Sequence, residues 1–176
     1  MSSNRGGYGS GIPLETLRPD ARTLPLEEFE DRHGSGFLLH SANAGAASGA
    51  PVTEVQLMLD EPDPGCTAGL ALLVYPFRSQ GAGHLVAIGR APNNDVVIPE
   101  SSISRFHAFM KAAEDTFAIQ DGGSTNGTTV NSASVPAQGH GPPVELKRGD
   151  NVRLGLVELT YLDAQGLREF LLAKDR

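Results

Sequence analysis

The 176-residue sequence predicts an all-β protein built as an antiparallel β-sandwich, with a short C-terminal helix and a partly ordered N-terminal extension. Two observations carry the sandwich. From Leu70 onward, short apolar runs alternate with a period of two, and each is closed by Gly, Pro, Asn or Asp. With 39% apolar and 20% charged residues, the chain has enough apolar side chain for one core and some additional sequence.

Taken in order, the opening Met1 to Gly11 is rich in Ser and Gly and reads as a flexible tail. Pro25, Leu26 and Phe29, with Gly34 beyond, read as one short amphipathic helix, since Pro suits a first turn and Gly a helix end. Phe37 to Leu39 is an apolar patch, Ser41 to Pro51 a small-residue linker, and Glu61 to Gly65 a turn. A boundary is therefore expected near residue 69, with 1–69 as an acidic extension, 70–162 as the sandwich and 163–176 as the C-terminal helix.

The strand-like runs are Leu70 to Phe77, His84 to Ile88, Asp95 to Ile98, Phe106 to Lys111, Thr116 to Gln120, Thr128 to Asn131, Val144 to Lys147, Asn151 to Leu154 and Leu156 to Leu162. In the fifth, Phe117 and Ile119 are expected to point inward, and Thr116, Ala118 and Gln120 outward. Leu167, Phe170 and Leu171 fall at helical spacing.

Charge and cysteine content exclude several classes. The net charge is −7, and residues 1–69 hold 4 basic and 10 acidic groups against 7 and 8 in residues 70–162. General nucleic-acid binding is not expected of such a chain. The longest apolar run, Ala68 to Phe77, is far short of the roughly 20 residues a membrane helix needs. Cys66, the only cysteine, supports neither an internal disulfide nor a multi-cysteine zinc site. The expectation is a soluble cytoplasmic protein without metal or cofactor.

Polar residues out of place in a sheet sit in three loops. Gly89-Arg90 ends an apolar strand with a rigid five-donor fork, although a solvated strand-end arginine reads the same way. In Ser101 to His107, Ser104 and Arg105 set a hydroxyl beside a guanidinium, while His107 suits a loop brace better than a catalyst. Asp121 to Thr128 packs Ser124, Thr125, Asn126 and Gly127 into one connection, more hydrogen-bonding side chains than a simple turn demands. If these loops converge, their donors suit a phosphate attached to something larger: a phosphomonoester carries about −1.5 to −2 charge and three acceptor oxygens.

These residues resemble a forkhead-associated (FHA) domain. The likeness rests on Gly89-Arg90, Asn94 to Ile98, Ser104 to His107, Asp121 with Ser124 to Thr128 and Asn131, and Leu146 with Gly149-Asp150 and Gly155, spanning residues 70–162. It implies an eleven-stranded sandwich that reads phosphothreonine in an extended peptide. It further implies that Arg90 and Ser104 hold the phosphate, that Thr125 adds a contact, and that Arg105 and Asn126 grip peptide backbone. Gly89, His107, Asp121 and Gly127 would support the site. Ser132 to Pro143 is long and rich in Gly, Pro and Ala, which leaves peptide choice open.

Two other functions compete. Ser104, His107 and Asp121 would form a hydrolase triad only if an oxyanion hole accompanied them, and no Gly-x-Ser-x-Gly elbow is present. A docking module indifferent to phosphate would use the same fold. The expected partner is a phosphothreonine-containing protein or peptide. Thr16 and Thr23, in the acidic front segment, offer the chain's own phosphorylated N-terminus as a second candidate.

Overall fold

The computed structural model describes residues 11–42, 71–78, 84–113 and 116–173. The tail at 1–10, the linker from 43, the turn at 61–65 and Cys66 lie outside them. Among the described residues, twelve strands form two packed sheets, against the eleven that the resemblance implies.

The larger sheet has the order β1-β3-β2-β12-β11-β8-β9 and the smaller β10-β7-β6-β4-β5. Along the chain, β1 is Ile12–Pro13, β2 Gly36–Ala42, β3 Ala71–Phe77, β4 Leu85–Gly89, β5 Val96–Val97 and β6 Ala108–Ala113. Then follow β7 Thr116–Asp121, β8 Thr128–Val130, β9 Ala133–Ser134, β10 Val144–Leu146, β11 Asn151–Leu154 and β12 Val157–Asp163. Named pairs are antiparallel except β4 with β5.

Period-two alternation builds the core between the sheets. Leu38, Tyr75, Phe77, Val152, Leu154, Leu159 and Tyr161 of the larger sheet meet Val86, Ile88, Met110, Phe117 and Ile119 of the smaller. Phe117 and Ile119 face inward as expected. Ala118 and Gln120, expected outward, are also covered, at 9% and 8% exposure. Residues 136–141 lie along this edge: Asp121 bridges to Ala137, the Asp121 N–H donates to the Pro136 carbonyl at 3.3 Å, and the Gln120 amide donates to the Gly141 carbonyl at 2.7 Å. The Gly- and Pro-rich stretch is thus tied to the sheet rather than looped away from it.

The front segment enters the sandwich. β2 sits between β3 and β12, in continuous register from Gly36↔Phe77 to Ala42↔Ala71, and β1 pairs with β3 at the sheet edge. The residues on either side of the expected boundary near 69 therefore share one sheet.

A second apolar layer covers the other face of that sheet. It joins Phe37, Leu39, Val74 and Leu162 to Leu14 and Leu17 of a 3-10 turn (Leu14–Leu17), Ala21 of α1 (Arg18–Thr23), Phe29 of α2 (Leu26–His33) and Leu167 and Leu171 of α3 (Ala164–Ala173). The expected helix after Pro25 is α2. Leu24, preceding a proline, is extended (ψ 142°) and ends α1. Gly34, at φ 123°, closes α2 where a side chain would collide with the Phe77 carbonyl. Glu27 and Glu28 in its first turn and Arg32 and His33 in its last complement the helix dipole. α3 starts where the Asp163 carboxylate accepts the Gly166 N–H at 2.7 Å, and Arg168 Nε donates to the Ala21 carbonyl at 2.9 Å, tying the two ends of the chain together. Among the described residues no helix is long and apolar enough to cross a membrane.

Candidate functional site

Three connections meet at one end of the sandwich: the turn after β4, the loop entering β6, and the loop from β7 to β8. Backbone hydrogen bonds join them beyond the strand ends. The Arg90 N–H donates to the Ser104 carbonyl (2.9 Å), Ala91 N–H to Arg105 (3.1 Å), His107 N–H to Ile88 (2.8 Å) and Gly122 N–H to His107 (2.8 Å). Gly89 is required by this approach, because a Cβ there would run into the Arg105 carbonyl oxygen.

Four buried polar side chains brace the loops from behind. Asn94 donates to the carbonyls of Ala91 (2.8 Å) and Arg105 (2.6 Å). His107, fully buried, accepts the Ser104 N–H on Nδ1 (3.0 Å) and meets the Gly127 carbonyl with Nε2 (3.0 Å). An imidazole nitrogen that accepts an N–H carries no proton, so the neutral ring with Nε2–H is the form that makes both bonds. Burial lowers the His107 pKa, against smaller upward pulls from the Gly127 carbonyl and Asp121.

Asp121 organises the third loop. One carboxylate oxygen accepts the N–H groups of Gly123 and Ser124, both at 2.9 Å, and the other accepts the hydroxyls of Ser124 (2.6 Å) and Thr128 (2.7 Å). Burial pushes its pKa upward, but these four hydrogen bonds together outweigh it and hold the carboxyl below its ordinary value. The Ser124 hydroxyl also accepts the Gly127 N–H at 2.9 Å, closing the loop on itself.

On this frame the open donors converge. An open cavity of about 920 Å³ is lined by Arg90, Ala91, Asn93, Asn94, Ser104, Arg105, Phe106, Gly122, Gly123 and Thr125, with no carboxylate among them. Arg90 donates through Nε to the Ile103 carbonyl (3.2 Å), which orients the fork and leaves its terminal nitrogens without a partner among the described residues. Ser104 Oγ accepts the Thr125 N–H at 3.1 Å and lies 3.5 Å from the Thr125 hydroxyl. Neither Arg90 nor Arg105 forms an ion pair among the described residues, and both are exposed.

Arg90, Ser104, Arg105 and Thr125, expected at the site, thus share one cavity, with Gly89, His107, Asp121 and Gly127 beneath it. Asn126 is placed differently: it does not line the cavity, and its amide donates to the Ser102 carbonyl at 2.8 Å, leaving Oδ1 without a partner among the described residues. No hydrogen bond joins Ser104 Oγ to His107 or His107 to Asp121; both ring nitrogens are engaged by backbone, so the hydrolase triad is not assembled. Sequence reasoning passed over Asn93 and Phe106 and gave Asn94 no role. The available signal was an Asn within a turn whose neighbouring carbonyls need donors, and an aromatic residue next to a buried histidine.

Comparison with known proteins identifies the family. The FHA domain model matches residues 86–155. An ABC transporter ATP-binding/permease protein (Rv1747) of Mycobacterium tuberculosis is 42% identical over 78 residues, 44% of this chain but only 8% of that protein's length. An FHA domain solved in work on phosphothreonine-dependent FHA domain interactions superposes with a TM-score of 0.48 at 23% identity, over 73% of this chain and 95% of that one. An oxoglutarate dehydrogenase inhibitor of Corynebacterium diphtheriae is 30% identical over 168 residues, covering 93% of this chain and 97% of the relative. With that near end-to-end match and the FHA motifs in place around the cavity, the chain belongs to the FHA-domain family.

Proposed function

We propose that the chain is a phosphothreonine-dependent interaction module that binds an extended phosphopeptide at the loop cavity. One observation carries this reading: the free nitrogens of Arg90, the hydroxyls of Ser104 and Thr125 and the guanidinium of Arg105 line a single cavity without a carboxylate. A phosphate dianion supplies the charge and acceptors this set lacks. Each charge-assisted hydrogen bond contributes about 1.5–3 kcal/mol, and desolvation and peptide ordering offset much of the total, which leaves a micromolar complex near roughly −8 kcal/mol.

Arg90 and Ser104 hold the phosphate, Thr125 adds a contact, and Arg105 reaches the peptide backbone. Asn126 accepts a peptide N–H on Oδ1, the atom its bond to Ser102 leaves open. The disconnected triad and the match to an inhibitor support a regulatory role without catalysis. The lone Cys66 supports a reducing, cytoplasmic setting.

An external peptide fits better than the chain's own Thr16 or Thr23. Thr16 lies in the 3-10 turn and Thr23 ends α1, its hydroxyl donating to the Pro19 carbonyl at 2.9 Å, while Leu14, Leu17 and Ala21 around them are buried. Presenting either as an extended peptide would dismantle that packing.

Calorimetry on a peptide selected from an oriented phosphothreonine library tests the reading. The expected result is micromolar binding by the wild type, none after dephosphorylation of the peptide, and none by a folded Arg90→Ala protein. Equal competition by the dephosphorylated peptide would instead favour phosphate-independent docking.

A further inference from the structure

We propose that Phe106 forms an apolar subsite beside the phosphate position and selects phosphothreonine peptides carrying an aliphatic or aromatic side chain near the phosphoresidue; this rests on the phosphopeptide reading of the same cavity. Phe106 lies in the bend that leads through the buried His107 into β6 (Ala108–Ala113), outside the strand itself. It is 44% exposed, lines the cavity, and belongs to neither apolar core. Its ring partner is Phe109 on the outer face of the smaller sheet, with centroids 6.2 Å apart and planes inclined by only 14°. Phe109 is itself 5% exposed, so the pair is anchored on one side and open on the other.

The slot is kept clear by glycine. A Cβ at Gly122 would enter the edge of the Phe106 ring, and beyond it Gly123 faces open space. The ring therefore lies against bare backbone. At about 920 Å³ the cavity falls in the range of roughly 300–1,000 Å³ that accommodates a ligand of many atoms, which leaves room beyond a phosphothreonine side chain.

Charge decides the occupant. Arg90 and Arg105, without acidic partners among the described residues, line the same cavity and repel a cationic side chain. With Arg90 taken up by the phosphate and Arg105 by the peptide backbone, a carboxylate set against the Phe106 ring would lose its hydration to a surface that offers it no donor. A neutral apolar side chain remains, and an extended peptide rising about 3.4 Å per residue brings one within reach from within three residues of the phosphothreonine.

Fluorescence anisotropy tests this with labelled phosphothreonine peptides flanked by alanine. Leu, Phe, Lys and Glu are scanned through the three positions on either side against wild type, Phe106→Ala and Phe106→Tyr. At one position, Leu or Phe should bind wild type and Phe106→Tyr about tenfold more tightly than Ala. In Phe106→Ala the ratio of Leu or Phe affinity to Ala affinity at that position should fall to about one. No apolar preference in the wild type, or a preference that survives in Phe106→Ala, overturns the subsite while leaving phosphopeptide binding intact. Failure of every phosphopeptide to bind wild type overturns both.

Discussion

The loops around the cavity and the helices on the outer face of the larger sheet belong to one sandwich, yet opposite forces hold them. Buried polar side chains concentrate at the loops: Asn94, His107, Asp121 and Thr128 brace them directly, and Gln120 ties down the adjoining edge. The outer face holds its helices by apolar contact, with Phe29 against Phe37 (6.3 Å) and His33 (4.9 Å) and Leu14, Leu17, Leu167 and Leu171 around it. Hydrogen bonds fix direction without covering what they orient, so arginine and hydroxyl groups stay open to a ligand. Apolar packing works only by covering. The first region should therefore govern binding and the second stability.

The largest expected effect lies in the helical layer. Phe29→Ala removes a fully buried ring and should cost about 3–5 kcal/mol in urea unfolding, while phosphopeptide affinity under native conditions stays within about twofold. A parallel loss of affinity would erase the division. Its mirror image is Arg90→Ala, where losing two charge-assisted hydrogen bonds should weaken phosphopeptide binding by at least about 100-fold with the unfolding midpoint unchanged.

The same contrast explains what the sequence made legible. Donors at strand ends, Arg90, Ser104, Arg105 and Thr125, stood out because a sheet has no use for them there, and β11 and β12 announced themselves by alternation. β2 did not. Phe37 and Leu39 face the helices while Leu38 faces the smaller sheet, so the strand is apolar on both sides and reads as an unpatterned patch. The front segment looked like an extension because its partner strands lie far along the chain. Gln120 was expected outward because nothing local announces that residues 136–141 cover it. Asn94 entered only as the first residue of a matched motif, and only the folded loops reveal that it holds the carbonyls of Ala91 and Arg105.

Asp121 tests whether the division is sharp, since it is buried like the second region and polar like the first. Asp121→Asn turns one oxygen that accepts two donors into a donor facing them. About 2–3 kcal/mol of stability should be lost, and phosphopeptide affinity should fall about tenfold as Ser124 and Thr125 shift. Loss of stability alone, with affinity intact, would place Asp121 with the packing residues.

The smallest effect is a pH dependence. Unfolded, His107 takes up a proton near its ordinary pKa of 6.5; folded, burial keeps it neutral to lower pH. Between those two points the unfolded chain binds more protons, so stability is complete above pH 6.5, falls as the pH drops below it, and stops falling from this cause once the folded imidazole protonates. Asp121 adds a separate loss at lower pH, because its folded carboxyl is held below 3.8. His40 on β2, also lowered by burial, acts in the same window as His107, so only the difference between wild type and variant isolates the latter. In His107→Gln the unfolding free energy should be lower throughout and depend less steeply on pH between 6.5 and 5. Equal slopes would mean that the neutral imidazole bridging Ser104 and Gly127 contributes packing to the loops rather than a proton-dependent brace.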